Sequence, residues 1–157
     1  MVQKAGEKKA SSPIKRDSRT ILGALHLSTS QIYWKQALKG TGNNFISFLR
    51  QLLQNNPEKK IAVILDNASQ HTCNKVKKFL GKFPRIKLYF LPPYSPEFNP
   101  IERFWGWLKK HIYGSKSYEC MEEVIARVRQ VIWHYRENSL VSKINFNFSC
   151  YQKLINI

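Results

Sequence analysis

Ile61-Ala62-Val63-Ile64-Leu65 is an unbroken apolar run, mostly β-branched, that stops at Asp66-Asn67. A run this short, with no polar alternation, predicts a strand buried on both faces and therefore central in an α/β sheet. Asp66 then falls at the carboxyl end of that strand, the rim where open α/β sheets bind ligands. Asx residues also favour loop starts, so the pair serves equally well as a plain turn.

A second boundary lies at Asn99-Pro100-Ile101-Glu102. Asn at the N-cap, Pro at the first helical position and Glu completing a capping box predict a helix start. Ile101, Phe104, Trp105, Leu108 and Ile112 continue it at helical spacing. Glu102 can cap this helix or point across at a neighbouring strand end, and its position does not choose between the two. Trp107 falls off the apolar stripe, beside Arg103 and Lys110, where it can stack on a base, meet a partner chain or pack on the next helix.

Charge narrows the partners. The 157 residues carry 26 Lys and Arg against 10 Asp and Glu, a net charge of +16. Such a balance favours polyanions, of which nucleic acid is the commonest, beside the plainer readings of a merely soluble basic protein or a ribosome-like binding module. With 43% hydrophobic residues and four Trp, the chain reads as one globular domain rather than a disordered tail. The three cysteines, at 73, 120 and 150, have no CxxC spacing, which argues against a disulfide framework or a zinc site and for reduced thiols. No apolar run approaches the ~18 residues of a membrane span and no signal segment opens the chain, so the expectation is a cytoplasmic, DNA-associated protein with no membrane partner.

Taken in order, residues 1–18 form a basic, flexible lead-in with Lys4, Lys8, Lys9, Lys15 and Arg16. Residues 20–27 and 32–35 read as strands of a hairpin across Ser28-Thr29-Ser30. Phe45, Phe48, Leu49, Leu52 and Leu53 mark an amphipathic helix that stops before Asn56-Pro57. After the Asp66 strand comes a helix over 72–80 with Val76, Phe79 and Leu80 on its apolar side. Lys75, Lys77, Lys78, Lys82, Arg85 and Lys87 then give a run of positive charge with no acid among them, a candidate for phosphate contact. Residues 86–91 are a further strand, and the prolines of Pro92-Pro93-Tyr94-Ser95-Pro96 stiffen the connection to Glu102. A last helix begins near Ser117, carries Met121, Val124, Ile125, Val128, Ile132 and Tyr135, and ends near Glu137-Asn138. Residues 138–157 show no assignable pattern.

Three blocks together resemble the catalytic core of DDE transposases of the mariner superfamily, in particular the insertion-sequence branch. They are Asp66-Asn67-Ala68 with His71 after a strand, Leu91-Pro92-Pro93-Tyr94-Ser95-Pro96-Glu97-Phe98-Asn99-Pro100-Ile101-Glu102, and Trp105 with Leu108-Lys109. The resemblance implies an RNase H-like α/β fold over residues 19–137, a mixed sheet flanked by helices. It implies Asp66 and Glu102 as the second and third metal-binding acids, with Asn67, His71 and Asn99 in support. It implies Mg²⁺ or Mn²⁺ as cofactor and DNA as substrate, with Lys75, Lys77, Lys78, Lys82, Arg103, Lys109 and Lys110 as candidate phosphate contacts. The chemistry asks for these residue types: in-line attack at phosphorus is promoted by two hard cations, which take carboxylate oxygens from separate elements.

The sequence also departs from the family's pattern. A complete enzyme of this kind carries a first acid on the first strand of its sheet. The only other Asp here is Asp17, in the basic lead-in. The expectation is therefore a C-terminal part of a transposase, lacking its first strand and leaving a sheet edge open to self-association. Two functions follow: half of a DNA strand-transfer enzyme completed by a separate N-terminal piece, with a homo-oligomer as a further expected partner, or an inactive remnant that only binds DNA.

Overall fold

The computed structural model describes residues 17–93, 98–114 and 116–137. Most of the lead-in, positions 94–97 of the proline-rich connector and residues 138–157 fall outside them.

Strands β1 (Thr20–Leu25) and β2 (Ile32–Ala37) make the expected hairpin, antiparallel with Leu25 opposite Ile32. Its turn places Ser30 at φ 53°, buried, with its N–H donating to the His26 carbonyl at 2.7 Å. Helix α1 (Gly42–Asn55) follows, with the Thr41 hydroxyl accepting from the Asn44 N–H at 3.3 Å as an N-cap. Strand β3 (Ile61–Leu65) leads through a single turn, α2 (Ser69–Thr72), and helix α3 (Asn74–Lys82) to strand β4 (Ile86–Phe90), which pairs parallel with β3. Helices α4 (Pro100–Tyr113) and α5 (Met121–Glu137) complete the order.

The architecture is mixed α/β, with helices on both faces of the hairpin. Alternation along β1 and β2 divides their side chains between two cores. Leu22, Ala24 and Tyr33 join α1, α3, β3 and β4 around Phe45, Phe48, Leu49, Val76 and Ile86. Ile21, Leu25, Ile32 and Trp34 join α4 and α5 around Phe104, Leu108, Val128, Ile132 and Tyr135. Each fully buried Leu, Ile, Val or Phe among them contributes about 1.5–3 kcal/mol.

Three expectations need correction. The strands form two separate two-stranded sheets, β1–β2 and β3–β4, rather than one continuous sheet, because no strand among the described residues pairs with both β1 and β3. β3 is not buried along both faces, since Ala62 is exposed and Ile64 on the same face is half-buried. The capping box at α4 does not form: Asn99 occupies the N-cap and Pro100 the first turn, yet the Asn99 side chain makes no capping bond.

Arg85 also departs from the phosphate-contact reading. Its guanidinium donates to the carbonyls of Leu53 and Asn56, each at 2.8 Å, and of Lys59 at 3.1 Å. It closes the C-terminal end of α1, whose last carbonyls lack helical partners, and so pins that helix to the start of β4.

Candidate active site

The end of β3 is tied down by its own polar residues. The Leu91 N–H extends the β3–β4 ladder by donating to the Leu65 carbonyl at 2.8 Å, and Asn67 Nδ2 donates back to the Leu91 carbonyl at 2.8 Å. With the backbone held there, Asp66 projects from the strand end with its side chain 68% exposed. Its Oδ1 accepts from the Ala68 N–H at 3.3 Å, the Asx turn expected of this pair.

His71 fixes the same carboxylate from the other side. Its Nδ1 lies 2.9 Å from Asp66 Oδ1 and 3.3 Å from the Asp66 carbonyl. Both neighbours are acceptors, so Nδ1 carries the proton. The ring is only 13% exposed, and its other face meets Phe45 at a centroid distance of 4.4 Å. His71 is thus wedged between the core and Asp66.

Glu102 enters from a different element. It stands exposed in the first turn of α4. Asp66, His71, Asn99 and Glu102 all border one cavity of about 520 Å³, within the usual range of ligand sites. The cavity lies between β1 and β3, with Phe45, Phe48 and Leu52 of α1 on one side and Ile101 and Trp105 of α4 on the other. Trp105 packs so tightly over β1 that a Cβ on Gly23 would fall 2.6 Å from its ring. Glycine is required there by close approach rather than by backbone angle.

The two carboxylates meet the chemistry of a hard divalent cation, which takes carboxylate oxygens and completes its shell with waters and substrate phosphates. Among the described residues no group of three or more His, Cys, Asp or Glu side chains could hold a metal ion. Asp17 offers no third ligand: its carboxylate pairs with Arg19, and it does not border the cavity.

The cationic candidates lie elsewhere. Lys75, Lys77, Lys78 and Lys82 are exposed along α3, and Arg103, Lys109 and Lys110 along α4, none of them bordering the cavity. Lys59, Lys60 and Gln70 border it instead, and sequence reasoning missed them. The available signal was the Lys59-Lys60 pair opening directly into the apolar run of β3. Trp107 packs inward, with ring centroids 5.9 Å from Phe104 and 5.4 Å from Tyr135. That decides for contact with the next helix over base stacking.

Comparison with known proteins bears on this site. The family model described as "DDE superfamily endonuclease" matches residues 1–125. An insertion element IS630 protein of 39 kDa from Shigella sonnei is 27% identical over 124 residues, covering 78% of this chain and 36% of that protein. The Tc3 transposase of Caenorhabditis elegans is 34% identical over 71 residues, 45% of this chain and 21% of that one. The chain therefore spans a minor part of the length of these relatives. Among solved structures, a chain of the simian T-cell lymphotropic virus intasome in complex with PP2A regulatory subunit B56 gamma superposes with a TM-score of 0.62. It is 15% identical, and the match covers 76% of this chain and 43% of that one, a likeness of fold.

Proposed function

The chain belongs to the DDE superfamily endonucleases, with transposase relatives, and from that premise we propose that it is part of an enzyme for metal-dependent DNA strand cleavage and transfer. The observation that carries this reading is the meeting of Asp66, from the end of β3, and Glu102, from the first turn of α4, at one cavity. The mixed α/β order and the intasome likeness support an RNase H-like domain.

In this reading Asp66 and Glu102 hold Mg²⁺ or Mn²⁺. When bound, such ions activate the attacking oxygen and stabilise the leaving oxygen at phosphorus. The protein's own residues do the positioning. Asn67 fixes the strand end, and His71 holds the Asp66 carboxylate in one orientation through Nδ1–H. The exposed lysines of α3 and α4 bind backbone phosphates and set the path of the DNA without reading its sequence. A separate N-terminal piece supplies the remaining carboxylate, and the assembled protein works as an oligomer on DNA in the cytoplasm. No described helix is long and apolar enough to cross a membrane.

The second reading, a remnant that binds DNA without cutting it, draws on the lack of a third ligand among the described residues. A strand-cleavage assay in Mg²⁺ and in Mn²⁺, with and without the complementing piece, decides between them. The enzyme reading expects cleavage only with the piece present, and its loss in Glu102→Gln with DNA binding retained. Absence of cleavage under every condition, with salt-sensitive binding intact, establishes the remnant.

A further inference from the structure

We propose that the outer face of α5 is a stacking platform for the unpaired bases of a DNA strand, with Trp133 as the platform and Arg129 and Arg136 as phosphate contacts on either side of it. The proposal rests on the reading above that the protein works on DNA. It names a contact for single strands, apart from the cavity and from the lysines of α3 and α4.

Helix α5 sorts its residues by face. Val128, Val131, Ile132 and Tyr135 are buried at helical spacing and close the core against α4. That inner face is complete without Trp133, which lies on the outer one and is 56% exposed. The adjacent His134 ring meets the indole in a T-shaped contact, centroids 5.0 Å apart, which favours one indole orientation. Arg129 stands four residues before Trp133 and Arg136 three after, the spacings that make helix side chains neighbours on one face. Both arginines are exposed, each about one turn of helix from the indole.

Charge chooses the occupant. From Val124 to Arg136 the helix carries three arginines and no acid. The two acids of its first turn are engaged there: the Glu123 carboxylate accepts the Glu119 N–H at 3.1 Å, and Glu122 lies 3.8 Å from Arg19. Arg127 is held by its 2.7 Å bond to Gln130 Oε1, whereas Arg129 and Arg136 enter no ion pair among the described residues. Trp133 is also the only large apolar side chain exposed on the described face of α5. A protein partner or a membrane surface would call for several such side chains together. A lone aromatic between two cations fits a nucleic-acid strand, which offers a base face to the ring and a phosphate to each side. A duplex keeps its base faces inside the stack, and exposing one costs free energy. The fitting partner is therefore a strand already unpaired, such as an end freed by strand cleavage. Trp107 cannot take this part, being closed in between Phe104 and Tyr135.

The test is fluorescence anisotropy with the full chain and two labelled DNA strands of about 12 nucleotides, within the range of single-strand site sizes, one of thymidine and one with the same backbone and no bases. The native chain should bind the thymidine strand about tenfold more tightly than the abasic one. Trp133→Ala should erase that difference while leaving the abasic affinity and the thermal midpoint unchanged. Trp133→Phe should keep most of it, since phenylalanine still offers a ring face. Arg129→Gln and Arg136→Gln should each lower the slope of log K against log salt by about 0.7 on either strand. Equal binding of the two strands by the native chain overturns the proposal, as does a difference that survives Trp133→Ala. A change of sedimentation coefficient in Trp133→Ala also overturns it, since the face would then hold a second copy of the chain. Strand cleavage is a separate readout. If the native protein cuts DNA but shows no preference for bases, the platform alone falls, whereas failure to bind either strand at low salt sinks the functional reading with it.

Discussion

His71 Nδ1 lies 2.9 Å from Asp66 Oδ1, while the imidazole face rests on Phe45. One side chain thus couples the core to an exposed acid of the cavity. Replacing it by His71→Phe keeps the ring contact and removes the hydrogen bond. The expected result is a fall of roughly tenfold in Mn²⁺ affinity, followed by electron paramagnetic resonance, as for other groups that orient a metal-binding carboxylate. A rise in affinity would show that the imidazole competes with the ion for Oδ1.

The Asn67 amide bonded to the Leu91 carbonyl gives a stability prediction. Asn67→Asp keeps the shape and turns a donor into an acceptor facing a carbonyl. Unfolding in urea should show a loss of about 1–3 kcal/mol. An unchanged midpoint would mean that the β3 end is held by the ladder alone.

Gly23 and Trp105 should behave as a coupled pair. Gly23→Ala forces the indole away from β1 and should cost about 1–3 kcal/mol, the usual penalty of overpacking. Trp105→Leu on the Gly23→Ala background should recover part of that loss, and a double-mutant cycle measures the coupling. Strict additivity would contradict the close approach.

Tyr135 gives a pH prediction. Burial pushes its phenol above the ordinary value near 10, and its hydroxyl donates to the Ser30 carbonyl at 3.4 Å. Above pH 10 the unfolded chain releases this proton while the folded chain keeps it, so folding stability falls with rising pH. The contribution is whole below pH 10 and fades as pH climbs through the raised folded value. Thermal midpoints between pH 8 and about 11 should therefore drop more for the native chain than for Tyr135→Phe. Equal drops would place the alkaline sensitivity elsewhere.

Salt dependence of DNA binding separates cations that contact phosphate from those that do not. Each of Lys75, Lys77, Lys78 and Lys82 that touches a phosphate should, when changed to Gln, reduce the slope of log K against log salt by about 0.9. Lys77→Gln and Lys78→Gln should leave the melting temperature unchanged, because both side chains are exposed. A slope indifferent to all four substitutions would remove α3 from the interface.

Much of the local structure was legible in the sequence because local rules decide it. The apolar run 61–65 became β3, the Thr20 and Ile32 stretches became a hairpin, and Asn99-Pro100 opened α4. What was not legible depends on tertiary partners. The cationic run from Lys75 to Lys87 gives no hint that Arg85 alone turns inward, since that requires the end of α1 to arrive beside it. The exposed face of β3 at Ala62 was hidden because an apolar run reports what a strand can bury, and what it does bury depends on which elements come to cover it. The meeting of Asp66 and Glu102 at one cavity came from the motif, since no periodicity brings a strand end and a helix start together.

The hairpin has a consequence for how the domain comes apart. Leu22 faces the α1 core and Ile32 the α4–α5 core, so one pair of strands forms a wall of each. Fraying β1 from β2 therefore opens both cores at once, and neither can melt as an independent foldon. The described domain is expected to lose its structure in a single cooperative transition, with the same midpoint whether followed at Phe48 or at Phe104.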